Sequence, residues 1–340
     1  MYEILKREFI FPELSSGMCH ASTVLPLDDG SVLAAWFGGS HEGNEDTAIW
    51  LSARRNGHWE EPVRIAYSEE AHWNPVLRDS GNNKIVLYFK VGDVIAQWRT
   101  MYCVSGDGGL TWSEPKELVA GDRGGRGPVR NKILKLKSGR LLAPASAEGE
   151  IWRAFADISD DDGCTWRKSE EIQIKNLQFN YGERTDQGST IEVSEQSFYG
   201  RGVIQPTLWE SRSGLVHMFL RSTEGAIYRS DSDDGGETWT PVQRTKLPNN
   251  NSGIDLAQAN DGVLYLACNP VGVNWGSRTP MSLLQSLDDG DTWERLLDLD
   301  SGVGEFSYPA VVAKDSKLYI TYSWKRKSIA YWEISIAAQK

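Results

Sequence analysis

One short pattern, S-x-D-x-G-x-T-W, constrains this chain more than any other feature, because it occurs four times. The copies are "SGDGGLTW" ending at Trp112, "SDDDGCTW" ending at Trp166, "SDDGGETW" ending at Trp239 and "SLDDGDTW" ending at Trp293. A degenerate copy, "SARRNGHW", ends at Trp59, so the successive Trp spacings are 53, 54, 73 and 54 residues. Self-similarity at that period marks a repeat architecture. Within each copy the Asp can accept hydrogen bonds from its own turn, the Gly can supply a positive φ, and the Trp can tuck against a neighbouring strand pair. The box is read as a fastening device, since no chemistry needs the same group four times.

Between the boxes lies a second pattern of a polar cluster, an apolar strand, a turn with Gly or Asp, and another apolar strand. Its six copies begin at His20, His72, Gly127, Ile204, Asn250 and Phe306. Short alternating segments bounded by turn residues, with no long amphipathic helical pattern, predict antiparallel sheets. Six such sheets arranged radially make an all-β, six-bladed β-propeller, a form that leaves only short edges exposed. The opening "YEILKREFIF" is expected to complete the blade begun by the closing "SIAYWEISI", which makes residues 1–340 a single domain. The longer interval before Trp239, around "LQFNYGERTDQGSTIEVSEQ", is expected to form either an excursion from the fourth blade or a loop over one face.

Charge and composition bound the partners. A net charge of -11 argues against nucleic-acid backbones and anionic membrane surfaces. No apolar run is long enough to span a bilayer, and the first residues lack the apolar core of a secretory signal, so a cytoplasmic location is favoured over secretion. Cys19, Cys103, Cys164 and Cys268 are scattered without C-x-x-C spacing, which predicts buried reduced thiols and neither a zinc site nor a disulfide frame. No cofactor or metal is implied: the Asp-rich boxes offer too few oxygens each for Ca²⁺ and are better explained by their own backbone.

In a propeller the first strand of each blade lines the axis, so its first residues crowd one mouth of the channel. Here those residues are His20, His72 and Asn74, Arg126, Arg130 and Asn131, Gln205, Asn250 with its two Asn neighbours, and Glu305 with Tyr308. So many convergent donors point to an anion or sugar site.

The boxes and the order of the remaining motifs resemble the sialidase superfamily, the neuraminidases with bacterial neuraminidase repeats, along nearly the whole chain. "WESRSGLVHMFLRS" looks like the segment in which a Glu precedes an Arg of the carboxylate-binding triad, which implies those roles for Glu210 and Arg221. "NPVGVNWGSRTPMSLLQSLDDGDTW" is similar to the segment bearing the last triad Arg, which implies Arg278. "GEFSYPAVV" resembles the segment of the nucleophilic tyrosine, which implies Tyr308. Where sialidases carry an Arg-Ile-Pro motif, this chain has "CHAST", so His20 stands in place of the first triad Arg. For the acid-base aspartate there is no clean match: Glu42, Glu45 and Asp46 in "GGSHEGNEDTAIW" are the candidates, Asp46 first, with His41 beside them.

The chemistry of these residue types leaves three readings. Two arginines can clamp a carboxylate with paired charge-assisted hydrogen bonds, which points to an acidic sugar. Tyr308, with Glu210 taking its proton, could attack an anomeric carbon, the tyrosine exception to the two-carboxylate rule, and release a terminal acidic sugar by hydrolysis. The same residues suit a lyase acting on uronates, including rhamnose-glucuronate bonds. There the arginines acidify the C–H beside the carboxylate, and His20 or Tyr308 removes the proton. A glycan-binding propeller without turnover is the third.

Overall fold

The alternating apolar segments become short antiparallel strands. In the computed structural model, residues 2–177 and 200–336 are described, and the excursion expected at 177–196 lies, beyond Leu177, outside them. Among the described residues the one helical element is a 3-10 turn at Ile95–Gln97.

Counted by antiparallel pairing, the described strands form six units within five hydrogen-bonded sheets. The first runs Met18–Pro26, Val32–Gly39, Ala48–Arg55 and His58–Trp59, with Val63–Ala66 also on Ala48–Arg55. The second is His72–Asp79, Ile85–Val91, Arg99–Ser105 and Lys116–Glu117. The third is Leu134–Lys135, Leu141–Ala147, Ile151–Ser159 and Arg167–Lys168. The fourth is Arg201–Glu210, Val216–Ser222, Ala226–Ser232 and Gln243–Pro248. A short parallel contact, Ile151 with Arg201 and Trp152 with Gly202, joins the third and fourth into one sheet. The fifth is Asp255–Gln258, Leu264–Cys268, Met281–Ser286 and Glu294–Asp300. The sixth is Phe306–Lys314, Lys317–Trp324 and Ser328–Ile336, and Tyr2–Phe9 pairs antiparallel with its last strand.

Apolar clusters seal each unit to the next. Phe37 and Ile49 meet Trp73 and Leu87; Val76 and Tyr88 meet Ile133; Leu142 and Ile158 meet Val203 and Met218. Trp209 and Phe219 meet Leu264 and Leu266, and Leu283 and Leu299 meet Tyr322 and Trp332. Trp36 and Val24 of the first unit pack against Ile329 and Tyr331 of the sixth.

The boxes are turns closed on their own carboxylates. Asp107 accepts from Ser105 Oγ at 2.7 Å, Leu110 N at 3.0 Å, Thr111 N at 2.9 Å and Thr111 Oγ1 at 2.5 Å. Asp161, Asp234 and Asp288 accept from the Ser and Thr of their own boxes in the same way. Gly109 sits at φ +88°, and a Cβ there would lie 2.7 Å from Leu33 Cδ1 of the first unit, so the box also fastens its turn to the neighbouring unit. The degenerate box has no Asp to do this: Ser52 Oγ donates to the Glu60 carbonyl at 2.6 Å.

Candidate functional site

Among the described residues, the first strands of the first, second, fourth and sixth units carry a bulge at corresponding places, and each puts one residue into the left-handed region. The register slips between His20 and Thr23, Trp73 and Val76, Ile204 and Thr207, and Ser307 and Ala310. The left-handed residues are Ala21 (φ 52°), Asn74 (φ 43°), Gln205 (φ 50°) and Tyr308 (φ 55°). A non-Gly residue held there stores about 1–3 kcal/mol of strain, and such positions cluster at functional sites. Three of the four precede Pro, which disfavours the right-handed helical alternative at each.

Tyr308 is the centre of the row. Its Oη accepts from Arg221 Nη1 at 2.6 Å. The guanidinium carbons of Arg130, Arg278 and Arg221 lie 5.0, 5.4 and 5.6 Å from its ring centroid. The His20 ring is 4.2 Å away, centroid to centroid, tilted by 46°. Arg221 is buried and fixed by Asn251 Oδ1 at 2.8 Å and Gln205 Oε1 at 2.9 Å. Arg130 holds the Pro309 carbonyl at 2.6 Å and the Asn131 side-chain oxygen. Burial pushes Arg130 down to about 10, with Asp255 and Tyr308 opposing.

A charge chain leads outward from this cluster. Arg278 Nη1 donates to Glu305 Oε1 at 2.6 Å, Arg326 Nε donates to Glu305 Oε2 at 3.0 Å, and Arg326 Nη1 pairs with Glu42. Burial alone would raise the Glu305 carboxyl, but Arg278 and Arg326 hold it well below the usual range. His20 is buried, with no hydrogen-bond partner on either ring nitrogen among the described residues. That burial, together with Arg326, pushes its imidazole well below the ordinary value, so the ring is neutral.

Four donor atoms of this cluster, Arg130 Nε, Arg278 Nε and Nη2, and Arg326 Nη2, are buried without an acceptor among the described residues. Buried donors normally have partners, so an unsatisfied group of arginine N–H bonds marks a place suited to an anion.

Glu148 adds a carboxyl that the motifs did not reveal. It follows the strand Leu141–Ala147, its Oε1 is buried without a partner among the described residues, and Gln205 hydrogen-bonds it. Burial raises it above the ordinary glutamate value against the pull of Arg221 and Lys90. Lys90, fully buried, donates to Thr100 Oγ1 at 2.6 Å and to the Arg126 carbonyl at 2.8 Å, and burial pushes it down to about 7.

The structure brings His20, Arg130, Gln205, Arg221, Arg278 and Tyr308 together, with Asn131, Asn251 and Glu305 bonded to the arginines, whereas Glu210, Arg126, His72 and Asp46 make their contacts elsewhere. Glu210 is the main correction. It pairs with Val216 at one end of its hairpin while Arg221 pairs with Ile204 at the other. Five residues separate it from Gln205, about 16 Å of strand. Its Oε2 accepts from the Lys137 backbone N–H at 2.8 Å, which holds it at that far end and away from Tyr308.

Arg126 is likewise corrected. Its Nε donates to both oxygens of buried Asp157, at 2.7 and 2.9 Å, and its Nη2 to the Trp166 carbonyl, which commits it to the third unit. Asn131 spends its amide on the Gln205 and Pro206 carbonyls, and Asn250 spends its own on the Gly276 and Ser277 carbonyls, positioning the segment that carries Arg278. His72 bonds the Glu70 carbonyl through Nδ1 at 2.8 Å and stacks on Phe89. Asn74 is buried in its bulge. Asp46 lies in an exposed loop, where it accepts from Ser40 N and Oγ at 3.0 and 2.9 Å. Of the four cysteines, Cys164 is exposed, against expectation, because it sits at the tip of a box turn.

Asp46, Glu42 and Arg326 line an open cleft of about 770 Å³ between the loop at 39–46 and the turn at 325–327.

The model of the BNR repeat-like domain matches residues 30–320. The chain belongs to the BNR repeat-like domain family.

Solved structures share this member's fold at low identity. A protein of unknown function from Dyadobacter fermentans superposes with a TM-score of 0.75 at 16% identity, covering 99% of both chains. The Trypanosoma rangeli sialidase, bound to the inhibitor DANA, gives 0.72 at 13% identity over 98% of this chain, which spans 60% of that protein's length. A variant of the NanB sialidase from Streptococcus pneumoniae gives 0.73 at 14% identity, over 97% of this chain and 70% of that one. These likenesses establish a sialidase-like, all-β BNR fold, in which the cluster around Tyr308 is built from the chain's own residues.

Proposed function

We propose that the chain is a single six-bladed propeller over 1–340 and a carbohydrate-active enzyme that releases a terminal acidic sugar from a glycan by hydrolysis. The six antiparallel units and the apolar seal between the first and the sixth support the architecture. The observation that carries the activity is the crowding of Arg130, Arg221 and Arg278 around one phenol, with Arg221 donating to its oxygen.

In this reading the arginines hold the sugar's carboxylate, which a lysine could not grip with the same planar geometry. Tyr308 Oη attacks the anomeric carbon and forms a new C–O bond as the bond to the leaving glycan oxygen breaks. Glu148 takes the phenolic proton, since a carboxylate raised by burial is a better base than an ordinary glutamate. Asp46, on the cleft wall, gives a proton to the leaving oxygen. Water then cleaves the tyrosyl-sugar bond and restores the phenol.

One observation favours a second reading, elimination at a uronate. His20 is neutral, in contact with the Tyr308 ring, and its nitrogens have no other partner among the described residues, as a base for an acidified C–H would need. Product analysis separates the two. Incubation with sialosides and uronate oligosaccharides, followed by mass spectrometry and ultraviolet absorbance, is expected to give a sugar with one added water and no new absorbance. A product lighter by one water, with new absorbance, would establish elimination instead. Saturable binding with no product from either panel would make the chain a binding module.

A further inference from the structure

Arg326 sits where no motif predicts a functional residue, in the turn between Lys317–Trp324 and Ser328–Ile336. Lys327 N donates to the Trp324 carbonyl at 2.9 Å, and both intervening residues are left-handed, Lys325 at φ 51° and Arg326 at φ 54°. A two-residue turn of that shape favours Asn-Gly, and a long side chain at each position is strained.

Its surroundings show how the group is aimed. Glu305 holds Nε and Glu42 holds Nη1, so two carboxylates from different units fix the guanidinium plane. The remaining Nη2 has no acceptor among the described residues, nor do Nε and Nη2 of Arg278, which shares Glu305. Arg326 also lines the 770 Å³ cleft. Among the described residues it is the one arginine of the cluster that also lines the open cleft.

We propose that Arg326 is a ligand-binding arginine: its Nη2 contacts the anionic group of an acidic sugar that lies across the cleft and reaches the arginine cluster. Arg326 thereby supplies, from the last turn of the chain, a guanidinium on the side where the first unit has His20. This assignment rests on the reading of the site as one for an acidic sugar. It adds that the cleft between 39–46 and 325–327 is the part of the surface the sugar occupies.

The test is calorimetric titration of the full chain with N-acetylneuraminic acid and with glucuronic acid, for the wild type, Arg326→Gln and Glu42→Gln. A charged hydrogen bond lost from the ligand is expected to weaken binding about tenfold or more in Arg326→Gln. Glu42→Gln removes one of the two carboxylates that aim the guanidinium but leaves Nη2 in place, and is expected to cost less affinity than Arg326→Gln. Equal affinity of wild type and Arg326→Gln would overturn the assignment and leave the acidic-sugar reading standing. Equal loss in both variants would also overturn it, making Arg326 a clip. Absence of wild-type binding to either acid would overturn both. A structure of the wild-type chain with the bound acid removes any dependence on the variants' folding: Nη2 within hydrogen-bond distance supports the proposal, and a ligand seated away from Arg326 overturns it.

Discussion

Arg278 and Arg326 grip opposite oxygens of Glu305, at 2.6 and 3.0 Å, so one buried carboxylate holds two guanidiniums in register. Glu305→Gln leaves both arginines less compensated in a buried setting, and the expected cost is about 3–5 kcal/mol. Because the folded-state carboxyl is held below its ordinary value, its contribution is present above the unfolded glutamate range and is lost as pH falls below it. Urea unfolding of wild type and variant at neutral and acid pH checks both: the gap between them should narrow as pH drops.

The two glutamates give opposite predictions. Glu210→Gln should leave turnover close to wild type, because Glu210 lies at the far end of its hairpin from Arg221. Glu148→Gln should lower kcat by on the order of 10²–10⁴, the usual worth of a positioned proton acceptor. Steady-state kinetics on the substrate identified by product analysis distinguishes them, and the reverse pattern would return the role to Glu210.

The boxes predict an acid-sensitive fold. Asp107, Asp161 and Asp288 are held down to about 2 by their own Thr and Ser hydrogen bonds, and Asp234, although burial opposes it, is held there by the same partners. Their contribution is fully present above the ordinary aspartate range and disappears as pH falls from about 4 towards about 2. Asp234→Asn should therefore lower the thermal midpoint at neutral pH, and the difference from wild type should vanish near pH 2. A difference that persists unchanged would show that the turn, not the carboxylate, carries the effect.

His20 gives the opposite end of the pH scale. Its folded pKa lies well below the ordinary value, so the unfolded chain binds the extra proton and stability falls as pH drops below about 6.5. His20→Gln should flatten that part of the stability profile, measured by chemical unfolding between pH 5 and 8. It should also leave hydrolysis measurable, whereas elimination through His20 would be abolished.

The boxes and the strand segments were legible because each is a local signal: Gly and Asp at fixed offsets declare a turn. The bulge row was not, since a register slip depends on the partner strand. Arg221 and Arg278 were also legible, through motifs adjacent to a strand or a box. Arg326 was not, since it comes close to Glu42 across 284 positions only when the last unit meets the first. Glu148 was hidden because its partners, Gln205 and Arg221, belong to the next unit. Glu210 was assigned because its segment resembles one in which a Glu precedes an Arg, yet a hairpin brings together only residues equidistant from its turn. The parity and register of the strand would have shown it, because Ile204, not Glu210, lies opposite Arg221.

The most direct test of the central claim is Tyr308→Phe, assayed for turnover and for acidic-sugar binding side by side. The substitution removes one oxygen and leaves the ring against His20 and the three arginines, so binding of the acid should survive while product formation falls to background. Turnover retained at the wild-type rate would contradict the account and remove Tyr308 from the chemistry.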